Sequence, residues 1–510
     1  MTESIVILDF GSQYTQLISR RIRELGVYSR IIPFQTPAEA IKDMGAKGII
    51  LSGSPYSVYQ KGAPKPDEGV FSLGVPVLGI CYGMQYITHS MGGVVQRSKQ
   101  REYGRAEIEL SCESPLFRNM CTDARHTVWM SHSDRIEKIP SGFSIIAASA
   151  NSPVAAVQHM TKPIFGLQFH PEVSHTVEGM RILGNFIDVC AITQKWNLGE
   201  FIDASVKELQ NTVGRDKVIG AISGGVDSTV ASVLTQRAIG DRLKLLFIDN
   251  GLLREHESRE VVAALKAMHL KVTRVDASEI FLRRLRGVTD PEKKRKIIGK
   301  TFIDVFEKHT SGKSFTWLLQ GTLYPDVIES ISHIGPSQTI KSHHNVGGLP
   351  ARMRLKVLEP LRLLFKDEVR SIGGLLGVPG TILSRQPFPG PGLSIRILGD
   401  INRQRLDILK KADLIVRDEI EKSSLSGTLW QYFAVLLPVR TVGIMGDERT
   451  YEHVVAIRAV NSADAMTADW ARLPYEVLDR LSSRIISEVV GVNRVVYDIS
   501  SKPPSTIEWE

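Results

Sequence analysis

A cysteine stands between two glycines in the stretch GICYGMQ, where Cys81 lies two residues from both Gly79 and Gly83. The spacing G-x-C-x-G parallels the nucleophile elbow, a sharp turn between a strand and a helix that exposes a nucleophile. The apolar run before it predicts a strand, and YITHSMGG after it predicts a helix, whose N-terminus favours a thiolate and a developing oxyanion. The motif therefore predicts a nucleophilic thiol, with a buried structural cysteine as the alternative.

A base for this thiol occurs in FGLQFHPEV, in which His170 ends an apolar run and Glu172 follows two residues later. A histidine there would face the C-terminal edge of a sheet, where sites in parallel α/β proteins lie. Glu172 can hold one imidazole nitrogen so that the other faces the thiol. A lone histidine is more often a core or surface residue, but the pair together with GICYG predicts a Cys-His-Glu site.

A second motif, SGGVDS at residues 223–228, follows the apolar run KVIGAI and opens a predicted helix. Its two glycines let backbone amides approach a phosphate, and its two serines add hydroxyl donors. Asp227 is suited to hold Mg²⁺ or to brace the loop. The loop lacks the lysine of a Walker A motif. It predicts a nucleotide phosphate site, and a helix cap after a glycine turn is the alternative.

The elements around both motifs alternate between strand and helix patterns. The first alternation becomes strand-rich at 94–169 and closes with a helix at about 176–193. A second alternation begins at 217 and ends near the Pro/Gly-rich break QPFPGPGLS at 386–394. We therefore predict an α/β protein with two doubly wound α/β domains and a small C-terminal α+β domain. The expected boundaries are 4–196, 197–385 and 386–510.

Composition restricts the class of protein. The 510 residues are 43% hydrophobic and 23% charged, as in ordinary globular proteins, and the net charge is +8. The densest basic stretch, 283–300, is either a solvated helix face or a phosphate-facing segment. It lacks the interleaved aromatic residues of a single-strand binding surface, so we expect no nucleic acid partner. Cys112, Cys121 and Cys190 are predicted to be packing residues. Without an apolar run of membrane-spanning length or a basic leader, we expect no membrane association and a cytoplasmic location.

GICYGMQ and FHPE, together with LSGSP at 51–55, resemble the class I glutamine amidotransferases over roughly residues 4–195. The resemblance implies that Cys81 attacks the side-chain amide of glutamine, forms a γ-glutamyl thioester and releases ammonia. His170 would protonate the leaving amine and later activate water. The backbone amides of Gly53 and Tyr82 would form the oxyanion hole. The residues that would face the glutamine substrate are Gln85, Ser131, His132, Ser133 and Asp134.

SGGVDS is similar to the pyrophosphate loop of the N-type ATP pyrophosphatases, which split ATP between the α and β phosphates and adenylate a carbonyl oxygen. The resemblance implies ATP contacts from the six loop residues, Ser223, Gly224, Gly225, Val226, Asp227 and Ser228. Asp249, Asn250 and Gly251 would lie beside adenine and ribose, and the stretch 320–330 would form the far side of that pocket. Lys366 is a candidate cation for the α-phosphate or the leaving pyrophosphate, the alternative being an exposed lysine at a helix start.

Three further stretches, 342–350, 387–400 and 502–510, resemble the glutamine-hydrolysing GMP synthetases and extend the match over essentially the whole chain. The resemblance implies that ATP adenylates the C2 oxygen of xanthosine 5′-monophosphate (XMP) and that ammonia replaces it, giving GMP, AMP and pyrophosphate. It also implies Mg²⁺ with ATP, no organic prosthetic group, and a homodimer formed through the C-terminal unit. XMP would lie near Arg396, Lys502, Thr506, Ile507 and Glu508. We expect 342–350 to be a mobile lid over the adenylation site.

Two other interpretations are kept as alternatives. One is a different amidating or adenylating enzyme, such as an NAD synthetase-like or tRNA-modifying enzyme. The other is a nucleotide- or RNA-binding protein with silent enzyme domains, which the net charge of +8 motivates.

Overall fold

The computed structural model describes residues 3–111, 113–120, 124–331, 355–425, 427–445, 447–462 and 467–510. These residues form two compact units. One contains residues 3–198 and 325–331, and the other contains 199–324 and 355–510. The expected lid at 342–350 lies outside the described residues, as do Cys112 and Cys121.

The first unit is built on a nine-stranded sheet. Its strands are β1 (Ser4–Asp9), β2 (Ser29–Pro33), β3 (Ala46–Leu51), β4 (Val77–Ile80), β5 (Val94–Leu110), β6 (His126–Lys138), β7 (Phe143–Ser149), β8 (Ala156–His159) and β9 (Ile164–Leu167). Its helices are α1 (Thr15–Glu24), α2 (Ala38–Asp43), α3 (Tyr82–Ser90) and α4 (Gly179–Val189). The strand order is β2-β1-β3-β4-β9-β8-β7-β5-β6.

Only the part of this sheet that carries the thiol motif is parallel. Strands β2, β1, β3, β4 and β9 pair in parallel, whereas β8, β7, β5 and β6 continue the sheet in antiparallel pairs. All four residues of β4 are buried, as are those of β9, which agrees with their unbroken apolar sequences. Helix α4 is shorter than the predicted 176–193, because residues 171–178 form turns before it. The parallel edge thus brings the ends of β4 and β9 side by side.

The second unit contains a five-stranded sheet in which every pair is parallel. Its strands are β10 (Val218–Ala221), β11 (Leu243–Asp249), β12 (Val272–Asp276), β13 (Trp317–Leu319) and β14 (Lys356–Leu358). The order β12-β11-β10-β13-β14 reverses direction at β10. In such doubly wound sheets, ligands bind beyond the carboxyl ends of the strands at this reversal. The loop SGGVDS follows β10 and therefore lies at that position.

A four-stranded sheet completes the second unit. It consists of β15 (Gln431–Met445), β16 (Glu448–Asn461), β17 (Asp469–Trp470) and β18 (Val492–Tyr497). Strands β15 and β16 form a long antiparallel hairpin, and β18 pairs with β16 in parallel. The remaining helices are α5 (Leu198–Val213), α6 (Val226–Ile239), α7 (Glu257–Ala267), α8 (Ser278–Leu285), α9 (Pro291–Thr310), α10 (Tyr324–Ile331), α11 (Lys366–Leu375), α12 (Gly380–Leu383), α13 (Arg403–Glu421) and α14 (Tyr475–Glu488). They belong to the second unit, except for Leu198 at the start of α5 and for α10 from Pro325 onward, which belong to the first unit.

One apolar core runs through the second unit. It joins Ile219 and Leu318 of the parallel sheet to Leu393, Val455 and Leu481 of the C-terminal part. Because residues before and after position 386 share this core, the core does not mark a domain boundary there, and the expected boundary at residue 386 remains a prediction. The predicted α/β class, with two large α/β parts and a C-terminal sheet region, is confirmed. Among the helices in the described ranges, none has the length and apolar character needed to cross a membrane.

Candidate active sites

Cys81 lies at the turn between β4 and α3, as the motif predicts. Its backbone has φ 53° and ψ −105°, a conformation that non-glycine residues rarely adopt and that marks strain at functional turns. The two flanking glycines are required by close packing. A Cβ on Gly79 would lie 2.5 Å from the backbone of Gly83, and one on Gly83 would lie 2.3 Å from the carbonyl oxygen of Leu51. A larger residue at either position would therefore force the backbone of the turn to shift.

The predicted base and its carboxylate partner are in direct contact. His170 Nδ1 lies 2.7 Å from Glu172 Oε1, and both side chains are buried. Thr176 Oγ1 donates to the backbone oxygen of His170 at 2.6 Å, and Tyr14 packs edge-on against the imidazole. Burial lowers the pKa of His170, but the charge of Glu172 and the contact with the Cys81 thiol outweigh it, so that the pKa lies well above its ordinary value. The imidazole is therefore held as a cation beside the thiol.

The thiol has two polar neighbours besides the histidine. Gln168 Nε2 donates to Cys81 Sγ at 3.7 Å, and the Cys81 thiol donates to the backbone oxygen of Ser131 at 3.6 Å. Gln85 Nε2 donates to both Gln168 Oε1 and the backbone oxygen of Asp134, each at 3.2 Å. Gln85 is thus two contacts away from the thiol and orients the amide that touches it.

The segment SHSD extends from the thiol toward a cavity. His132 is buried, with Nδ1 2.9 Å from the backbone oxygen of Asp134 and Nε2 3.2 Å from Glu102 Oε2. Both ring nitrogens are therefore engaged within the protein. The Asp134 carboxylate accepts a hydrogen bond from the Tyr59 hydroxyl at 2.9 Å. Ser133, Asp134 and Tyr59 line a cavity of about 570 Å³, together with Arg97.

The two expected oxyanion donors lie at the ends of neighbouring strands. Gly53 follows β3, and a Cβ built on it would lie 3.6 Å from the His170 ring. Tyr82 is the first residue of α3, and the amides of a first helical turn have no partner within the helix. The Tyr82 hydroxyl donates to the backbone oxygen of Pro64 at 2.6 Å, so the side chain is a packing element. Within Tyr82, the backbone amide and not the hydroxyl is therefore suited to bind an oxyanion.

The loop SGGVDS forms a compact turn into α6. The hydroxyls of Ser223 and Ser228 lie 3.2 Å apart, and Ser223 Oγ accepts from the amide of Gly225 at 3.3 Å. Gly224 has φ +78°, and a Cβ there would lie 2.4 Å from Val261 Cγ1. Gly224 therefore has no room for a side chain, and helix α6 begins two residues later, at Val226. Such a helix start is suited to a phosphate. The expected approach of the loop amides to a phosphate stays a prediction.

Two cations border this loop. Lys366, the exposed first residue of α11, has its Nζ 3.5 Å from Asp227 Oδ2. Its expected contact with a phosphate of ATP stays a prediction. Arg385 Nη1 donates to the backbone oxygen of Gly224 at 3.1 Å, and its other nitrogen pairs with Glu257. The sequence prediction did not include Arg385, because its contact with the loop joins residues 161 positions apart.

Asp249 and Gly251 lie at the end of β11, beside the loop. Asp249 Oδ2 accepts from Arg274 Nη2 at 2.7 Å, and Oδ1 accepts from the amide of Gly251 at 3.0 Å. Burial raises the pKa of Asp249, but hydrogen bonds from Ser258, Arg274 and Gly251 lower the pKa by more than burial raises it. The pKa of Asp249 therefore lies below its ordinary value. The carboxylate is therefore ionised and held by the neighbouring strand.

The residues expected near XMP comprise an arginine–glutamate pair and three further residues of the C-terminal segment. Arg396 is fully buried and binds Glu508 through two hydrogen bonds, of 3.0 Å and 2.7 Å. Gln431 Nε2 also donates to Glu508, at 2.8 Å. The structure thus brings Arg396 and Glu508 together, 112 positions apart in the chain. In this state the Arg396 guanidinium faces a carboxylate of the protein.

The other three residues expected near XMP lie along the same C-terminal segment. The amide of Lys502 donates to the backbone oxygen of Ala468 at 2.7 Å. Ile507 packs into an apolar cluster with Phe433 and Val435. Thr506 is exposed, and its hydroxyl donates to the backbone oxygen of Glu508.

Some residues at these sites were not predicted from sequence. Gln168 was detectable, because it precedes His170 by two residues and alternate residues of an extended chain share a face. Arg254 was not detectable. Its guanidinium is buried, lies 4.5 Å from the Phe388 ring and pairs with Asp413 at 3.3 Å. These contacts depend on tertiary packing alone.

The fold and the two sites define a glutamine amidotransferase unit joined to an ATP-dependent synthetase unit. Sequence models of three families match in the corresponding places. Residues 6–190 match Glutamine amidotransferase class-I, residues 198–297 match NAD synthase, and residues 418–509 match the GMP synthase C terminal domain.

Full-length relatives identify the family. GMP synthase (glutamine-hydrolyzing) of Aquifex aeolicus (strain VF5) is 60% identical over 510 residues, which cover 99% of each chain. The proteins of the same name from Chlorobium limicola (strain DSM 245 / NBRC 103803 / 6330) and Chlorobium chlorochromatii (strain CaD3) are 57% and 56% identical and are covered over their full length. The chain belongs to the glutamine-hydrolysing GMP synthase family.

Proposed function

We infer that the chain carries out glutamine-dependent synthesis of GMP, as a carbon–nitrogen ligase that uses glutamine as its amido donor. The observation that carries this conclusion is 60% identity to a glutamine-hydrolysing GMP synthase across the whole length of both chains. The NAD synthase family model covers only residues 198–297, so NAD synthetase-like chemistry lacks support from the rest of the chain.

In the first reaction, we propose that the Cys81 thiolate attacks the side-chain carbonyl carbon of glutamine. The amides of Gly53 and Tyr82 would stabilise the oxyanion. His170 would protonate the leaving ammonia and then remove a proton from the water that hydrolyses the thioester. The 2.7 Å contact between His170 and Glu172 supports this role, because it fixes the ring and stabilises its cation.

Glutamine would enter from the cavity beside the SHSD segment. The Asp134 carboxylate is suited to the α-ammonium group, and Arg97 is suited to the α-carboxylate. Both residues line the 570 Å³ cavity, and they are direct partners across β5 and β6. Ser131, Gln85 and His132 would support this wall, as their contacts with the thiol and with Asp134 suggest.

In the second reaction, we propose that the C2 oxygen of XMP attacks the α-phosphorus of ATP and releases pyrophosphate. Ammonia would then add to C2 and displace AMP. Backbone amides and hydroxyls of residues 223–228 would hold the leaving pyrophosphate, and Lys366 would neutralise its charge. Asp249 and Gly251 would border the adenosine part of ATP.

Mg²⁺ fits this site as an ion that arrives with ATP. Within the described ranges, no three metal-ligating side chains form a cluster that could hold an ion by itself. Mg²⁺ is usually bound by one or two carboxylates plus substrate phosphates, and Asp227 would be that carboxylate. When bound, the ion neutralises phosphate charge. Asp227 also orients Lys366, which lies 3.5 Å away.

XMP would lie beside the C-terminal segment, near Arg396, Lys502, Thr506, Ile507 and Glu508. Glu508 is suited to accept hydrogen bonds from the purine or the sugar, and Lys502 is suited to the phosphate. Lys502→Ala should therefore weaken the apparent affinity for XMP. An unchanged affinity in this variant would show that Lys502 is wrongly placed in the site.

The test of the whole function is pyrophosphate release with XMP, ATP, Mg²⁺ and glutamine, compared with other purine nucleotides in place of XMP. We expect release only with XMP, accompanied by GMP and AMP. Release with another nucleotide in place of XMP, or salt-dependent RNA binding without turnover, would contradict the proposal.

We also propose a homodimer formed through the C-terminal region. The β15–β16 hairpin exposes Val442, Ile444 and Tyr451 to solvent, with Val442 directly opposite Tyr451. A pair of strands with exposed apolar residues is a typical self-association surface. Ile444→Asp should shift the sedimentation of the protein from dimer to monomer. A wild-type protein that sediments as a monomer at micromolar concentration would contradict the dimer.

A further inference from the structure

Lys294 is a lysine in the basic stretch 283–300, but it is fully buried. Lysine is almost never fully buried without partners. Its ammonium group donates three hydrogen bonds, to the backbone oxygens of Ser394 (3.2 Å) and Ile397 (2.7 Å) and to Glu510 Oε2 (2.5 Å). Its neighbours Lys293 and Lys296, on the same helix α9, are exposed. Lys294 therefore places its charge in the interior of the protein, whereas Lys293 and Lys296 keep theirs in solvent.

The three acceptors belong to the two segments that supply the proposed XMP site. The carbonyls of Ser394 and Ile397 flank Arg396, and Glu510 follows Glu508 by two residues. Glu508 pairs with Arg396, and Glu510 pairs with Lys294. Two ion pairs, each with a fully buried cation, thus join the Arg396 segment to the C-terminal segment.

A buried ion pair is a poor means of stabilising a fold, because desolvation opposes the attraction between the charges. Burial lowers the pKa of Lys294 and raises the pKa of Glu510, as this cost requires. The pair of Lys294 and Glu510 instead fixes the position of the C-terminal segment. Arg295 adds to it, since its Nη2 donates to the backbone oxygen of Glu510 at 2.6 Å.

We propose that Lys294 is a positioning residue for XMP, which fixes Glu510 and thereby sets the place of the C-terminal segment against Arg396. The inference rests on the proposed function of that segment. Lys294 makes no contact with substrate in this proposal and acts only through the segment it holds.

The test uses the full-length protein with ammonium salt as nitrogen source, so that the glutaminase reaction does not contribute. AMP formation is measured against XMP and against ATP for Lys294→Met, Glu510→Gln and the matched control Lys293→Met. We expect the KM for XMP to rise roughly ten- to hundredfold in the first two variants, since small misplacements at a site have effects of this size. The KM for ATP of these two variants should stay within about twofold of the wild-type value. In the control Lys293→Met, the KM for XMP and the KM for ATP should both stay within the same range.

Hydrogen exchange of residues 498–510 provides the second measurement. We expect faster exchange in Lys294→Met and Glu510→Gln than in the wild type and in Lys293→Met. Equal increases in both KM values, or an unchanged KM for XMP, would overturn the inference while leaving GMP synthesis intact. If the wild-type protein forms no AMP with XMP, the proposed function fails. In that case, unchanged hydrogen exchange of residues 498–510 in the two variants would separately overturn the anchoring of this segment by Lys294. If Lys294→Met does not fold, the same measurements on Glu510→Gln test the inference.

Discussion

Replacement of Glu172 by glutamine removes one charge at the thiol site and little else. The side chain is buried, and its Oε1 accepts the Nδ1 proton of His170 over 2.7 Å. A glutamine oxygen can accept the same hydrogen bond, so the ring can keep its orientation. The variant therefore separates the electrostatic role of the carboxylate from its role in orienting the ring.

The expected effect follows from the charge that is lost. Two unit charges about 4 Å apart in an effective dielectric of about 20 attract by about 4 kcal/mol. The His170 cation loses this stabilisation in Glu172→Gln. Because about 1.4 kcal/mol corresponds to tenfold in rate, glutaminase turnover should fall about 10³-fold.

The assay measures glutamate formation from glutamine and, separately, GMP formation from ammonium salt. Glu172→Gln should lose the first activity and keep the second. Glu178→Gln is a matched control, because Glu178 lies in the same loop and pairs with Arg181 at the surface. If Glu172→Gln retained glutaminase activity within about threefold of wild type, this electrostatic account of the site would be refuted.

The same variant has a pH-dependent signature in stability. The pKa of His170 is raised in the folded protein, so the cation–carboxylate pair contributes fully below the ordinary histidine pKa of about 6.5. Its contribution disappears as the pH rises through the raised pKa of His170. The thermal midpoint of Glu172→Gln should therefore lie further below that of wild type at pH 6 than at alkaline pH. A difference that grows with pH would contradict the assigned charges.

Other perturbations test the remaining parts of the two sites. Cys81→Ala should abolish glutamine-dependent GMP formation and leave formation from ammonium salt, and loss of both would contradict two separate sites. Asp227→Ala should abolish synthesis from either nitrogen source, measured as pyrophosphate release. Iodoacetamide followed by peptide mass spectrometry should modify Cys81 before Cys190, since burial strongly raises the pKa of the Cys190 thiol. Gly83→Ala should lower the thermal midpoint and the glutaminase activity, because overpacking of this kind costs about 1–3 kcal/mol or more; wild-type values for both would show that the elbow tolerates a side chain.

Most of the elements were predictable, because strand and helix patterns are local. The strand predicted before SGGVDS is β10, and the helix predicted after it is α6. The elbow at Cys81 was also predictable, since its glycines and its nucleophile lie within five residues. The start of α4 was placed too early, because the turns at 171–178 carry Glu172 and Thr176 to their contacts with His170. That requirement is tertiary and leaves no mark on helical periodicity.

The elements, the thiol turn and the phosphate loop follow from local sequence, because each of them depends on residues that are neighbours in the chain. The pairing of charges from distant segments, in contrast, follows from tertiary packing. Arg396 pairs with Glu508, and Lys294, from a stretch that resembled a solvated helix face, is buried against Glu510. This is because burial and contacts between segments that are distant in the chain determine which two charges meet. Neither can be read from the composition of the segment that carries the charge.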